Sequence, residues 1–218
     1  MTNREEILKV SLEFLMESID HENGGSRAYF SRILNPRSGW SAMYPETSGY
    51  IIPTLILCSE KFNEDIYMIK ATQMANWLLS IQFEDGGFPA LLYNKNNLEK
   101  SIFNSAQILI GLVSIYKETG FEKYLIAILK CANWIITNQN IDGSWTKFNY
   151  KKDFTPSYYT RVAWPLLLVW ELTYDDRIMI AANKTLQLIA KRKGENGFIK
   201  YSGFEKNSYA FTHTIAYV

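Results

Sequence analysis

Two kinds of apolar pattern alternate along the chain. In residues 64–82, Ile66, Ile69, Ala71, Met74, Ala75, Leu78 and Leu79 recur at spacings of three and four, with Glu64, Asp65, Lys70 and Gln73 on the other side. Residues 121–138 repeat this through Tyr124, Leu125, Ile128, Leu129, Ala132 and Ile135. Such spacing predicts amphipathic helices with one wet face. Residues 102–116 and 157–172 are instead apolar nearly all round, which predicts helices buried on every side. Half-exposed helices are therefore expected near 3–19, 64–82, 121–138 and 176–192, and buried ones near 46–60, 102–118, 157–173 and from 208 onward. The turns between them are short, as at Glu118-Thr119-Gly120 and Tyr174-Asp175-Asp176, so neighbouring helices run antiparallel. The pattern describes a double-layered array of α-hairpins.

The same alternation is written as an internal repeat. Residues 75–88 read ANWLLSIQFEDGGF and residues 132–145 read ANWIITNQNIDGSW. Ala75, Asn76, Trp77, Gln82, Asp85, Gly86 and Phe88 each recur, identically or as another aromatic, 57 positions later. Weaker copies end at Gly25 and Phe198, giving four copies at intervals of roughly 54–62 residues. Gly86 and Gly143 permit the positive φ needed to leave a helix abruptly, and Asp85 and Asp142 suit the turn. The following aromatic can pack back on the outer helix, and Gln82 and Gln139 can bond carbonyls freed at the helix end. These residues read first as scaffold.

Gln82 to Phe88 and Gln139 to Trp145 resemble the QxxDGxW-type repeat of the α/α-toroid proteins. That superfamily includes squalene and terpenoid cyclases and protein prenyltransferase β-subunits. Related toroids occur in polysaccharide lyases, glucuronyl epimerases and six-hairpin glycosidases. The resemblance implies an all-α, α/α-toroid-like fold of inner and outer helices, with substrate over the mouth of the inner ring. It does not choose the chemistry, because one fold hosts many activities.

Composition narrows the classes. The 218 residues and 47% hydrophobic content suit a single domain, residues 1–218, with a filled core. Twenty-three basic against twenty-two acidic residues leave no bulk field for nucleic acid or an anionic membrane. Cys58 and Cys131 lie in apolar helical stretches and read as reduced packing residues. No window approaches a membrane span, and MTNREEILKV lacks the apolar core of a signal peptide, so a cytoplasmic location is expected.

The 32 aromatic residues concentrate where buried helices begin. Those segments carry Trp40, Tyr44, Glu46 and Tyr50, then Asn104 and Gln107, then Tyr158, Tyr159 and Arg161, and finally His213. Arg161 is the only charge between Asp153 and Glu171, so it needs a carboxylate such as Glu46, carbonyls, or an anion of the substrate. His213 aligns with Arg161 between repeats, and histidine suits proton transfer near neutrality. Glu46 can act at a mouth or simply favour a helix N-terminus. Trp40, Tyr44, Tyr50, Tyr158 and Tyr159 can stack on sugar rings, shield a carbocation, or pack around turns. His21 sits in a loop expected to be solvated.

The resemblance implies three alternatives. A DxDD-type acid for cyclisation is missing, as are the mouth cysteine of prenyltransferase zinc sites and the Cys/His set of lanthionine cyclases. P-loop and dinucleotide glycine patterns are absent too, so neither a metal nor a cofactor is expected. A carbohydrate-active protein is the leading expectation: a lyase, epimerase or hydrolase of an acidic polysaccharide. Polysaccharide lyases and uronyl epimerases abstract a proton beside a carboxylate. Glu46, His213 and Tyr158 are the catalytic candidates for this, with Arg161, Trp40, Tyr44, Tyr50, Asn104, Gln107 and Tyr159 as substrate-binding candidates. The rivals are an isoprenoid-binding protein with degenerate motifs and a non-catalytic binding toroid. Closed toroids have five to seven hairpins by the same resemblance. About four are expected here, the last, Tyr209 to Val218, being truncated, so an open arc is expected: a fragment, a truncated gene product, or a subunit completed by a homodimer or a second chain.

Overall fold

Eight α-helices make up the described part of the computed structural model, which covers residues 3–20, 22–96 and 99–218. His21 lies outside the described residues. The helices are α1 (Asn3–Ser18), α2 (Pro45–Phe62), α3 (Asp65–Ile81), α4 (Ile102–Thr119), α5 (Glu122–Thr137), α6 (Thr160–Thr173), α7 (Asp176–Ala190) and α8 (Thr212–Ala216). A 3-10 turn, Ser157–Tyr159, leads into α6. Only isolated β-bridges occur between them among the described residues, so the chain is all-helical as its periodicity predicts. No described helix is long and apolar enough to cross a membrane.

The helices pack in two layers. The inner helices α2, α4 and α6 pack in sequence, and each lies against the outer helix that follows it, α3, α5 or α7. Local chemistry sets the limits of each element. Ser101 caps α4 by accepting from the Asn104 backbone N–H at 3.2 Å, and Gly120 ends that helix at φ 65°. Asp175 caps α7 by accepting from the Arg177 N–H at 3.0 Å. Pro45 opens α2, where its missing N–H leaves nothing unsatisfied.

Small residues and proline set the inner seams. A Cβ on Gly49 would stand 2.7 Å from the Ile108 Cα, and one on Gly111 would stand 2.5 Å from the Gly49 carbonyl oxygen. The backbones of α2 and α4 therefore meet where neither residue carries a side chain. Pro165 lies inside α6 and cannot donate to the Arg161 carbonyl four residues earlier. Gln107 of α4 replaces that donor, its Nε2 bonding the Arg161 oxygen at 2.7 Å. A buried amide thus mends a helix broken by proline.

The repeat residues join one hairpin to the next. Gly86 and Gly143 have φ of 103° and 90°. A Cβ on either would lie 2.3 Å from the Lys130 oxygen of α5 or 2.5 Å from the Lys184 carbonyl of α7. Gln82 donates to the Gly86 carbonyl at 3.0 Å and to the Ala127 carbonyl of α5 at 2.9 Å. Gln139 donates to the Ala181 carbonyl of α7 at 2.9 Å and to the Thr185 hydroxyl at 2.8 Å. The glutamines thus reach across to the following outer helix, beyond their own helix ends. Phe88 and Trp145 are fully buried, and Trp145 donates its indole N–H to the Ile135 carbonyl at 3.0 Å.

Two expectations about the last inner elements need correcting. α6 is not enclosed on every side, since Trp164 is 42% exposed. The helix expected from residue 208 begins only at Thr212 and spans five residues. Residues 203–209 fold into a tight turn instead. The Ser208 hydroxyl accepts from the Glu205 N–H and donates to the Glu205 carbonyl, both at 3.0 Å, and Tyr209 is left 95% exposed. Cys58 and Cys131 are free and buried.

Candidate functional site

The segments that start α2, α4, α6 and α8 converge on one cavity of about 340 Å³. Small-molecule sites generally span about 300–1,000 Å³. The start of α2 contributes Tyr44 and Glu46, and the start of α4 contributes Ser101, Phe103 and Asn104. Tyr158 and Tyr159 come from the turn before α6, and His213, Thr214 and Tyr217 from α8 and its end. Tyr150 and Phe204 enter from loops, and Leu91 stands at one side.

Aromatic rings form most of this wall and hold one another in place. Phe103 meets Tyr158 edge-on at 5.2 Å between centroids, and Phe204 meets Tyr158 at 5.8 Å. His213 stacks on Phe211 at 5.8 Å and stands edge-on to Tyr217 at 6.0 Å. The Tyr159 hydroxyl donates to the Asn149 side-chain oxygen at 2.9 Å, which fixes that ring from behind. Rigid aromatic walls of this kind present apolar faces for stacking and hydroxyls at their edges.

Glu46 is the one carboxylate among the described residues of the lining. The Tyr44 hydroxyl donates to its Oε2 at 3.0 Å, and the Tyr50 hydroxyl donates to its Oε1 at 3.2 Å. Burial pushes its pKa up, against the two hydroxyls and the Arg161 charge, and burial prevails. The tyrosines respond in the opposite sense to what a base requires. Burial, then the neighbouring Glu46 charge, holds the phenols of Tyr44, Tyr50 and Tyr158 well above their ordinary range. They are proton donors here, and none is poised as a tyrosinate.

The other sequence candidates sit differently. Arg161 stands behind the wall, its guanidinium 4.6 Å from the Trp164 ring, 4.9 Å from Tyr217 and 5.7 Å from Tyr50. It forms no ion pair with Glu46 within 4 Å, yet its charge reaches that carboxyl, and its Nε is buried without a partner. Tyr50 belongs to this same second layer. Gln107 is fully buried and serves the α6 backbone, so the cavity does not use it. Trp40 lies apart, packed on Phe14 at 5.3 Å and Phe30 at 5.1 Å, because its loop folds against α1.

Tyr150, Phe204 and Leu91 were not legible as site residues, since loops carry no periodicity to place them. In the structure Lys151 and Glu205, adjacent to Tyr150 and Phe204, pair at 2.8 Å across these two loops, a contact that sequence spacing does not announce. Among the described residues no cluster of three or more His, Cys, Asp or Glu side chains gathers as a metal site.

A family model described as pectic acid lyase matches residues 93–218. No curated protein matches the chain. Among solved structures, the unsaturated glucuronyl hydrolase of Bacillus sp. GL1, responsible for glycosaminoglycan degradation, superposes with a TM-score of 0.69 at 15% identity. That match covers 90% of this chain and 61% of the hydrolase. A family 76 α-mannanase of Bacteroides thetaiotaomicron gives 0.66 at 15% identity, covering 96% of this chain and 59% of its own. A polysaccharide lyase gives 0.60 at 14%, covering 72% and 51%. These likenesses establish the toroid-type helical fold, and the chain spans between half and about three-fifths of each of those proteins.

Proposed function

The chain belongs to the pectic acid lyase family, and from that premise we propose that its cavity binds a uronate-containing polysaccharide and supports β-elimination within it. The observation that carries this reading is Glu46: a buried carboxyl with a raised pKa, held by two tyrosine hydroxyls, facing an aromatic cavity of sugar size. A carboxylate whose pKa moves toward the working pH is a stronger base than an exposed one.

In this reading Glu46 takes the proton from the carbon next to the uronate carboxyl. The electron pair left behind forms the C4=C5 double bond as the C4–O4 glycosidic bond breaks. Tyr158, held protonated, gives its proton to the departing oxygen. His213 is exposed at the rim and exchanges protons between this centre and solvent, returning Tyr158 and Glu46 to their starting states. Arg161 acts through Glu46, limiting how far burial raises its pKa. Tyr44 and Tyr50 fix the carboxyl's orientation, and Tyr159 offers a ring face to the sugar.

Incubating the protein with polygalacturonate tests this directly. The expected result is growth of the ultraviolet absorbance of the unsaturated product, with E46Q slower by about 10²–10⁴-fold, the usual weight of a general base. Undiminished turnover by E46Q removes the mechanism, and new reducing ends without that absorbance make the reaction a hydrolysis. No observation favours the isoprenoid alternative. The cytoplasmic setting stays within this proposal, in line with two free buried cysteines. So does closure of the arc by a second copy, which a monomer in sedimentation would remove.

A further inference from the structure

The cavity proposed to take an acidic sugar carries no lysine or arginine among its described lining residues, and the carboxyl of Glu46 there is of the wrong sign for a carboxylate ligand. Among these residues, the group that meets that carboxylate is a neutral one. The 18-residue helix α4 starts at this wall, with Ser101, Phe103 and Asn104 all lining it. Its N-terminus carries the positive end of the helix dipole, which favours an anion.

Asn104 adds an independent observation. It is 6% exposed, and its Nδ2 has no hydrogen-bond partner within 3.5 Å, although it stands close enough to the Tyr44 phenol to act on its pKa. The other end of the amide is fully engaged: the Ser101 hydroxyl donates to Oδ1 at 3.0 Å while accepting from the Asn104 backbone N–H. With Oδ1 taken by Ser101, the donor is left on the side of the cavity-lining Tyr44, whose phenol it influences. An unmatched buried donor costs stability, and a ligand oxygen accepting from it recovers that cost. The remaining orphan donor nearby, the Arg161 Nε, lies behind the aromatic wall and out of the lining.

We propose that the N-terminus of α4 is the anchor for the substrate carboxylate, with Asn104 Nδ2 as the donor that selects uronate over neutral sugar. This rests on the reading of the cavity as a uronate site, and it moves recognition of the carboxylate from Arg161 to Asn104.

Calorimetric binding of trigalacturonate and of its fully methyl-esterified form separates the possibilities. The wild-type protein is expected to prefer the free acid by roughly tenfold, the order expected for one charge-assisted hydrogen bond. N104D swaps the donor for a like charge and should lose the free acid by roughly a hundredfold while holding the ester within about threefold. A second buried carboxylate near Glu46 costs stability, so the melting temperature of N104D should fall, and N104S carries the test if N104D does not fold. N104S, which keeps a hydroxyl near Ser101, should bind acid and ester alike. Acid preference retained by either variant overturns the proposal. Equal wild-type binding of acid and ester also overturns it while leaving a carbohydrate site in place. Wild-type binding of neither sugar refutes the underlying reading as well.

Discussion

At Glu46 the demands of the proposed chemistry and of stability diverge. A carboxyl pKa raised by burial means that the folded chain binds this proton more tightly than the unfolded chain does. Its contribution to stability is therefore most favourable below the ordinary value of 4.5 and declines as pH rises through the window up to the folded value. E46Q should remove that decline, raising the melting temperature at neutral pH by about 2–4 °C for about 1 kcal/mol, with little change at pH 4. Differential scanning calorimetry at the two pH values reads it, and a lower melting temperature at neutral pH would contradict the burial argument. Residue chemistry of this kind was only partly legible. Glu46, Tyr158 and His213 stood out because each lies near the start of an apolar helix. Arg161 also stood out, as a lone charge, but the sequence carried no sign that Tyr217 and Trp164 would stack on its guanidinium and screen it from the cavity.

Elements were far more legible, because the pattern that predicts a helix is the same pattern that buries it. Seven of the expected helices appear within a few residues of their predicted limits. The eighth failed because Ser208 and Glu205 make a turn from side-chain bonds that compete with helix. The repeat glycines allow an internal comparison. G143A should cost about 2–4 kcal/mol in urea unfolding, combining positive φ with a Cβ against the α7 backbone. G197A, at φ 81° but with nothing within 4 Å, should cost only about 1 kcal/mol. Equal losses would mean that φ alone accounts for the repeat. The proline seam makes a sharper claim. Gln107→Leu should cost about 1–3 kcal/mol by orphaning the Arg161 carbonyl. In a Pro165→Ala background the restored N–H reaches that same carbonyl, so the Gln107→Leu loss should shrink well below its value in the parent. Additive losses in the double-mutant cycle would rule out that exchange.

For the whole molecule, each inner helix touches its sequence neighbours, and the outer layer is joined by glutamines that reach forward to the next hairpin. Such an array has short-range cooperativity along one axis. The consequence concerns the time domain. Amide exchange should be slowest in α4, which is held from both sides by α2 and α6 and covered by α5. It should quicken outward by steps, with the Gln82 and Gln139 crossings marking the boundaries between units that open together. α8, one turn long, should exchange fastest of the cavity's elements, so that the rim bearing His213 breathes on a shorter timescale than the floor bearing Glu46 and Asn104. A polymer bound as proposed would then meet a firm wall at α4 and a yielding edge at α8, which would let a long chain settle sideways without threading an end.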